Sequence, residues 1–330
     1  MRVLESHHYL ENILQDKEEK RQYQNTMSTF SKDVSIIIVN YNTKNLLQAC
    51  ISSVIEHTKE ISYEIIVSDN GSEDGSKEML QKEFPQIVLL QNHANLGFGA
   101  ANNVAAKIAK GKYIFYLNSD TILLSNAVKN FFDFWENTKI DNIGALGAQL
   151  LNAEYQPIQS WGKYPTPLGV LKALLHMYLV PQLKKTTKAE KTEPSSGEPI
   201  IVNGFITGAD LFLKNDEDAL FDERYFMYSE ETDLEYNHFY TKGKMCVLLP
   251  EIEIIHLEGG SDKSIGKPDT YDFGKLSNIY LWLSKVKYLR KNHGEKKLLI
   301  AIIKFILLFI WKTPGNKERT QPYIEELKVI

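Results

Sequence analysis

The sequence predicts an α/β protein with a mostly parallel central sheet flanked by helices. From residue 34 onward, short apolar runs alternate with segments of helical periodicity, and the connections between them are short. Parallel strands need helical crossovers of this kind. The first run, VSIIIVNYN at 34–42, begins with a stretch of mainly β-branched residues, which is typical of a strand covered on both faces. The alternation and this buried first strand together favour a doubly covered sheet.

The predicted elements follow the chain in order. Strands are expected at 34–42, from 64 into a turn-rich loop that ends at 76, at 86–92 and at 113–121, with helices at 45–57, 76–83 and 98–109 between them. Further along, strands are expected at 143–151 and 244–256, a strand with turns at 202–215, and helices at 168–180, 231–241 and 298–311.

The chain divides by composition into three parts. We expect a polar N-terminal extension at 1–32, one α/β domain at 33–265 and a helical C-terminal region at 266–330. Residues 184–197 are charged and contain Pro, Ser and Gly, so we expect a mobile loop there.

Composition bounds the function classes. The chain has 330 residues, 43% hydrophobic and 24% charged, which is enough apolar material for a real core. Its net charge of -4 argues against broad nucleic-acid binding, which needs a basic surface. Cys50 and Cys246 lie in apolar surroundings and far apart, so we expect both to be buried and reduced. The acidic N-terminal extension lacks an apolar secretory segment, which indicates a cytosol-facing protein.

The run YIFYLNSDT at 113–121 ends abruptly in Asn118, Ser119 and Asp120. A buried strand that stops there places the carboxylate at the carboxyl edge of the sheet, where ligands bind in open α/β folds. A hard cation that bridges two phosphates needs such oxygen ligands. Asn-Ser-Asp is also ordinary turn chemistry, so both interpretations stay open at this stage.

Polar residues also end the first two strands. Asn40, Tyr41 and Asn42 follow the first strand, and Asp69 follows the second. Adjacent parallel strands that end in polar and aromatic residues can form a base-and-ribose cleft, although the loop after Asp69 is equally rich in turn formers. No G-x-G-x-x-G pattern follows the first strand, which argues against a dehydrogenase.

An acidic cluster lies at 221–237. Ser229 occupies a candidate N-cap position, which places Glu230 and Glu231 in a first helical turn, where the helix dipole favours carboxylates. A catalytic interpretation needs one of these carboxylates within reach of an acceptor hydroxyl. Further on, His256 closes an apolar strand; it either holds a metal or phosphate or satisfies a local hydrogen bond.

The segment 298–311 is apolar except for Lys304, and lysines flank it at 296, 297 and 312. A helix over this segment reaches about 21 Å, short of the roughly 30 Å hydrocarbon core, so we do not expect it to span a membrane. It either packs on the main domain or lies in the membrane interface with its lysines toward the headgroups.

Taken together, these segments resemble the inverting, GT-A-fold glycosyltransferase family 2, in particular its bacterial rhamnosyltransferase-like branch. The resemblance covers about residues 34–261. It rests on segments that appear in the family's order: VSIIIVNYN, IIVSDNGSEDGS, NLGFGAANN at 95–103, YLNSDT, GFITGADLFL at 204–213, FDERYFMYSEETDL and the late His256. The family implies a nucleotide-diphospho-sugar transferase fold, here with a helical C-terminal appendage.

The resemblance also implies which residues bind the nucleotide donor. Asp69 matches the residue that reads the nucleobase. The other donor-binding positions that the resemblance implies are Asn40, Tyr41, Asn42, Asn95, Gly97, Asn118 and Ser119.

Metal-binding and catalytic roles follow from the same resemblance. Asp120 matches the last acid of the family's D-x-D element, which holds Mg²⁺ or Mn²⁺ against the diphosphate, and Asn118 stands where the first acid often lies. His256 matches a histidine that helps to hold metal or diphosphate. Glu231 takes the place of the catalytic base, usually an aspartate, and Glu230 precedes it.

The implied activity is inverting transfer of a sugar in cell-surface polysaccharide synthesis. The donor would be dTDP-rhamnose or a UDP-hexose, the acceptor a saccharide or lipid-linked saccharide, and the place the cytoplasm or the inner face of the cell membrane. Two alternatives stay open. A sugar-nucleotide nucleotidyltransferase normally has a glycine-rich basic loop that NYNTKN does not supply. A non-catalytic scaffold is suggested by Asn118 and Glu231, which depart from the family's usual acids.

Overall fold

The computed structural model describes residues 30–179, 197–257 and 272–330. Most of the predicted N-terminal extension, and the predicted loop at 184–197 except its last residue, lie outside the described residues. The predicted domain boundary after 265 also lies outside them, so the domain division stays a prediction.

The strands are β1 (Lys32–Asn40), β2 (Tyr63–Asp69), β3 (Val88–Gln91), β4 (Gly111–Asn118), β5 (Thr121–Leu123), β6 (Ile143–Leu151), β7 (Trp161–Gly162), β8 (Ile200–Val202), β9 (Phe205–Ile206), β10 (Asp210–Lys214) and β11 (Met245–His256). The helices are α1 (Lys44–His57), α2 (Ser76–Glu83), α3 (Phe98–Ala106), α4 (Ala127–Asn137), α5 (Pro167–Leu179), α6 (Glu230–Leu234), α7 (Leu276–Asn292), α8 (Lys297–Trp311) and α9 (Lys317–Val329).

The main sheet has the strand order β3-β2-β1-β4-β10-β6-β11-β5, and β8 pairs with β11. The strands β3, β2, β1 and β4 are mutually parallel, as are β6 and β11. Strand β10 runs antiparallel between β4 and β6, and so joins the two parallel groups. The predicted α/β fold with a mostly parallel, helix-flanked sheet is confirmed.

The register brings the ends of the parallel strands level. Asn40 at the end of β1 lies opposite Asp69 at the end of β2, and Val39 lies opposite Asn118 at the end of β4. The polar strand ends that the sequence singled out therefore share one edge of the sheet.

Both faces of the sheet are covered by apolar side chains. Because successive side chains of a strand point to opposite faces, Ile36 and Ile38 of β1 join the cluster under α1, α2 and α4. Ile37 joins the other cluster, which includes residues of α3 and α6. Both cysteines are buried and free, as predicted. Burial raises the pKa of the Cys50 thiol to about 12, so this thiol stays protonated at neutral pH.

Two predicted elements differ in the structure. The strand with turns predicted over 202–215 consists of three separate strands, β8, β9 and β10, because the chain turns at Gly204 and again at Gly208. The helix predicted over 231–241 begins at Glu230 but widens into a π turn at Glu235–Phe239 and ends in the 3₁₀ turn Tyr240–Lys242. Such π turns are frequent at functional sites.

The C-terminal helices build a third cluster. Ile303, Leu307 and Trp311 of α8 are buried among residues of α5, α7 and α9. One face of the apolar helix therefore packs on the protein, as the first of the two alternatives predicted, while Phe305 on the other face remains 70% exposed. None of the helices in the described ranges combines the length and apolar character that crossing a bilayer requires.

We predict that Leu307→Ala lowers the free energy of unfolding by about 2–5 kcal/mol, because it removes a fully buried side chain and leaves a cavity. Phe305→Ala on the exposed face of the same helix is the matched control and should change it by about 0.5 kcal/mol or less. Urea denaturation measures both. Equal effects of the two substitutions would show that α8 does not pack as described.

Candidate functional site

The carboxylate of Asp69 is held inside the edge of the sheet. One of its oxygens accepts from Asn40 Nδ2 at 2.7 Å, and the other accepts from the amides of Gly71 and Ser72 at 3.1 and 2.8 Å. The residue is 2% exposed. A carboxylate has about four acceptor positions, so these three bonds leave about one for a ligand. The predicted contact with a nucleobase therefore depends on that remaining position.

A chain of hydrogen bonds runs from Asp69 toward Asp120. Asn40 donates to Asp69 and accepts from the Thr43 hydroxyl at 2.7 Å, and that hydroxyl lies 3.0 Å from the hydroxyl of Ser119. Asn40 is fully buried, so its amide serves this chain and has no exposed surface for a ligand. The chain ends at Ser119, directly before Asp120, and so fixes the ends of β1, β2 and β4 relative to one another.

The residues after β1 form the outer wall of this edge. Asn42 has a left-handed backbone, with φ 55°. Its amide donates to the Ser72 hydroxyl, and its side-chain oxygen accepts from the amide of Glu73. Tyr41 is 46% exposed, which leaves its ring free to pack on a ligand.

Asn95 and Gly97 attach a second loop to the edge. The Asn70 side chain donates to both the Asn95 side chain and the Gly97 carbonyl. Gly97 has φ 86°, and a Cβ there would lie 2.1 Å from the carbonyl oxygen of Phe226. Only glycine fits this approach, which ties the loop to the acidic segment that carries Glu230 and Glu231.

Asp120 and His256 meet as the sequence interpretation required. Strand β5 pairs with β11 so that Thr121 lies opposite His256. His256 Nε2 lies 3.3 Å from Asp120 Oδ1 and 3.5 Å from Asn118 Nδ2. The side chains of Asp120 and His256 are 12% and 16% exposed, so both keep some solvent exposure at this edge.

This pair fits part of a divalent-cation site. Among the described residues, no group of three or more His, Cys, Asp and Glu side chains is placed to hold a metal ion. Mg²⁺, however, is commonly held by one or two carboxylates together with substrate phosphates. Asp120 and His256 supply a carboxylate and an imidazole at 3.3 Å, which suits a cation shared with a diphosphate.

The two candidate bases follow a strained turn. Tyr228 and Ser229 both have left-handed backbones, with φ 67° and 64°. Ser229 occupies the predicted N-cap position, with Glu230 and Glu231 in the first turn, and its side chain makes no capping hydrogen bond. Left-handed conformations are costly for residues other than glycine and cluster at functional sites. Glu230 and Glu231, the two helical residues that follow this turn, lie in different surroundings.

Glu230 is 4% exposed and faces Gly99 of α3, and one of its carboxyl oxygens has no hydrogen-bond partner among the described residues. Glu231 is partly exposed, and its side chain faces Gly208. Burial raises the pKa of Glu231, and burial together with the Glu231 charge raises the pKa of Glu230 well above its ordinary value. Access to a substrate therefore favours Glu231 over Glu230 as the base.

A short path connects Glu231 to the Asp120 side of the edge. A Cβ on Gly208 would lie 3.5 Å from Cβ and Cγ of Glu231. The next residue, Ala209, accepts at its carbonyl from the amide of Asn118 at 3.0 Å. Asn118 in turn contacts His256. The structure thus brings the regions of Asp69, Asp120 and Glu231 to one edge, although their ligand-binding and catalytic roles stay predictions.

Asp233, in the same acidic segment as Glu230 and Glu231, has a structural role. It is 1% exposed. Its carboxylate accepts hydrogen bonds from the Tyr225 hydroxyl, from the side-chain amides of Asn237 and Asn292, and from the Lys291 ammonium group at 2.6 Å. With its oxygens occupied by protein donors, Asp233 anchors α6 to the C-terminal helix α7 and has no access to substrate.

The sequence interpretation missed Asp210 and Glu235. Both are fully buried. Burial raises the pKa of each carboxyl well above its ordinary value. One signal was available: Glu235 lies four residues after Glu231, on the same face of a helix. Their contacts depend on residues far away in the chain and could not be read from spacing.

The architecture and the edge geometry define a protein of the GT-A type. The structure of GalNAc-T7, determined with UDP, GalNAc and Mn²⁺, matches it with a TM-score of 0.54 at 17% identity, over 78% of this chain and 48% of that one. This likeness supports the GT-A fold alone. The sequence profile of the family described as Glycosyl transferase family 2 matches residues 35–163. That part of the chain is a domain of this family, as the sequence resemblance predicted.

Two relatives illustrate the match. A UDP-Glc:α-D-GlcNAc-diphosphoundecaprenol β-1,3-glucosyltransferase, WfaP of Escherichia coli, is 35% identical over 108 residues, which is 32% of this chain and 43% of WfaP. An N-acetylglucosaminyl-diphospho-decaprenol L-rhamnosyltransferase of Mycobacterium tuberculosis is 26% identical over 238 residues, 67% of this chain and 75% of that protein. The match to WfaP spans less than half of that protein's length.

Proposed function

We propose that this protein is an inverting glycosyltransferase that moves a sugar from a nucleoside-diphosphate donor to a hydroxyl of a saccharide acceptor. The observation that carries the proposal is one shared edge: the end of β2 at Asp69, the Asp120–His256 pair and the partly exposed Glu231 lie around it. The family of residues 35–163 supports the reaction class.

In the proposed reaction, Glu231 accepts the proton of the acceptor hydroxyl while the hydroxyl oxygen forms a bond to the anomeric carbon. The bond from that carbon to the diphosphate oxygen breaks on the opposite side, so the configuration inverts. The raised pKa of Glu231 suits this task, because a base works best when its pKa lies near the working pH. The Glu231 side chain rests against Gly208, and the ring of Phe98 lies close to the same glycine.

Asp120 and His256 are the residues that would hold Mg²⁺ or Mn²⁺. A divalent cation bound there would stabilise the negative charge that develops on the departing nucleoside diphosphate. Asn118, whose Nδ2 lies 3.5 Å from His256 Nε2, lies beside this pair.

The donor and acceptor are proposed by class. The relatives include a rhamnosyltransferase and a UDP-Glc-dependent enzyme, both named for diphospho-polyprenol-linked sugars. We therefore propose a dTDP- or UDP-sugar donor and a lipid-linked saccharide acceptor in cell-surface polysaccharide synthesis. The free, buried thiols of Cys50 and Cys246 support a place in the cytoplasm.

We predict that Glu231→Gln lowers the transfer rate by about 10²–10⁴-fold, because it removes the proton acceptor, while nucleotide binding is retained. In the wild type, the raised pKa of Glu231 moves the acidic limb of the rate profile to higher pH: activity falls as the pH drops through this pKa and the carboxylate becomes protonated. Steady-state transfer rates across pH and calorimetry with the nucleoside diphosphate measure the two effects.

Glu230→Gln is the comparator for this experiment, because Glu230 precedes Glu231 but is almost fully buried. A larger loss of rate in Glu230→Gln than in Glu231→Gln would move the role of base to Glu230. Near-normal rates in both variants would contradict the proposed mechanism.

We predict that Asp120→Ala abolishes the gain in nucleoside-diphosphate affinity that Mn²⁺ gives to the wild type. Because Asp120 supplies the only carboxylate of the Asp120–His256 pair, its loss leaves too few oxygen ligands for the cation. Calorimetry with UDP and dTDP, with and without Mn²⁺, measures the difference. Asp133→Ala, which removes a half-exposed carboxylate on α4, is the control and should keep the gain. A Mn²⁺-dependent gain that survives in Asp120→Ala would assign the cation to other residues.

We also propose that α8 contacts the membrane interface. Its outward stripe consists of Leu298, Ile302, Phe305 and Phe309, which are 76%, 38%, 70% and 58% exposed. Exposed apolar surfaces of this kind mark interaction sites. Lysines at 296, 297 and 312 lie at the two ends of the stripe, so an anionic lipid surface complements both its apolar and its charged parts. The contact proposed from the sequence for 296–312 is thus limited to one face.

We predict that the protein sediments with phosphatidylglycerol-containing vesicles, and that the double substitution Phe305→Ser and Phe309→Ser lowers the bound fraction several-fold without changing the melting temperature. Tyr155→Ser, at a residue that is 62% exposed and lies outside α8, is the control. Unchanged sedimentation of the double variant would contradict the proposal. A concentration-dependent dimer that the double substitution disrupts would instead assign the stripe to a second copy of the chain.

A further inference from the structure

Residues 206–210, which we call the connector, join the two sides of the candidate site. They begin at the end of β9 and lead into β10. In the middle of the connector, Gly208 faces the Glu231 side chain, and Ala209 accepts from the Asn118 amide. Thr207 donates from its amide to the carbonyl of Ser160 at 3.1 Å. The position of the connector therefore decides how far Glu231 lies from the Asp120 side of the edge.

Glu235 holds the beginning of the connector. Its Oε2 accepts from the amide of Ile206 at 2.8 Å and from the thiol of Cys246 at 3.0 Å. Glu235 follows Glu231 by one helical turn and is fully buried. The helix widens into its π turn at this residue. The bond to Ile206 thus joins the segment that carries Glu231 to the connector on which Glu231 rests.

Asp210 holds the end of the connector. Strands β10 and β6 pair only at Phe212–Leu146 and Leu213–Ala145, so they separate beyond that point. In the gap, Oδ2 of Asp210 accepts from the amide of Ala148. A side-chain carboxyl thereby replaces the backbone carbonyl that a longer ladder would have supplied.

We propose that Glu235 is a positioning residue: by holding the Ile206 amide, it keeps the connector in the place where Gly208 supports Glu231 for proton abstraction. Asp210 fixes the other end of the same connector. This assignment rests on the proposed glycosyltransferase function and adds to it a residue that does not touch substrate.

The surroundings of Glu235 indicate that it acts as a neutral hydrogen-bond acceptor. Its neighbours are Glu231 on its own helix, Asp210 of β10, Cys246 of β11 and Tyr164. Burial raises the pKa of Glu235 well above its ordinary value, and the charges of Glu231 and Asp210 raise it further. The hydrogen bonds from Cys246 and Ile206 lower the pKa, but by less than burial raises it. A neutral carboxyl and a glutamine amide present the same carbonyl oxygen to the Ile206 amide.

The experiment compares Glu235→Ala, Glu235→Gln and Cys246→Ala in the full chain. Glu235→Ala leaves the Ile206 amide buried without a partner, and the resulting misplacement of Glu231 should lower kcat by about 10²-fold with the KM for the donor unchanged. Glu235→Gln should restore kcat to within about threefold and keep the acidic limb of the pH profile where it is in the wild type. Cys246→Ala removes the other donor to the same oxygen but leaves the Ile206 bond intact. It should lower the melting temperature without lowering kcat.

Hydrogen exchange supplies a readout that does not depend on turnover. Peptides covering 205–209 should exchange faster in Glu235→Ala than in the wild type, and at the wild-type rate in Cys246→Ala. Unchanged exchange, a kcat for Glu235→Ala equal to that of Cys246→Ala, or an acidic limb that moves in Glu235→Gln would each overturn the positioning role. A wild type without transfer activity would refute the proposed function instead, and the exchange comparison would still decide whether Glu235 holds the connector.

Discussion

The antiparallel pairing of β4 with β10 is the constraint on which the rest of the molecule depends. It joins the parallel strands that carry Asp69 to the strands that carry His256, and its end is the bond from the Asn118 amide to the Ala209 carbonyl. A wholly parallel sheet would have required another crossover helix at this point. The antiparallel strand instead lets the connector at 206–210 arrive directly at the edge, where Glu231 rests on it.

Carboxylates near this edge have different surroundings, and the surroundings match different tasks. Asp69 is nearly saturated by protein donors and fixes loop geometry. Asp120 keeps some exposure beside an imidazole, as a cation ligand needs. Glu231 is partly exposed and has a raised pKa, as a base needs. The proposed division of tasks follows from which of these oxygens already have protein donors.

The C-terminal helices hold the acidic segment of the candidate site in place. Lys291 of α7 donates to both Asp222 and Asp233, and the Ser284 hydroxyl donates to the carbonyl of Met227. These bonds hold the strained turn before Glu230 on both sides. Removing Lys291 would leave the buried Asp233 carboxylate without this ionic partner. The helices predicted as an appendage therefore also determine where the acidic segment lies.

The sequence by itself determined which residues lie at the edge of the sheet. Strands and their ends are local properties of the chain, and parallel pairing of the strands then brings Asn40, Asp69 and Asn118 together. It also predicted the Asp120 and His256 sites, because each ends an apolar run. Only the tertiary structure decided how residues 202–215 divide into separate strands, where the π turn lies, and that the acids Asp210 and Glu235 are buried. Their partners, Ala148 and Ile206, lie 62 and 29 residues away. Hydrogen bonds between such distant groups form only when the whole sheet is assembled, so they cannot be predicted from a local sequence pattern.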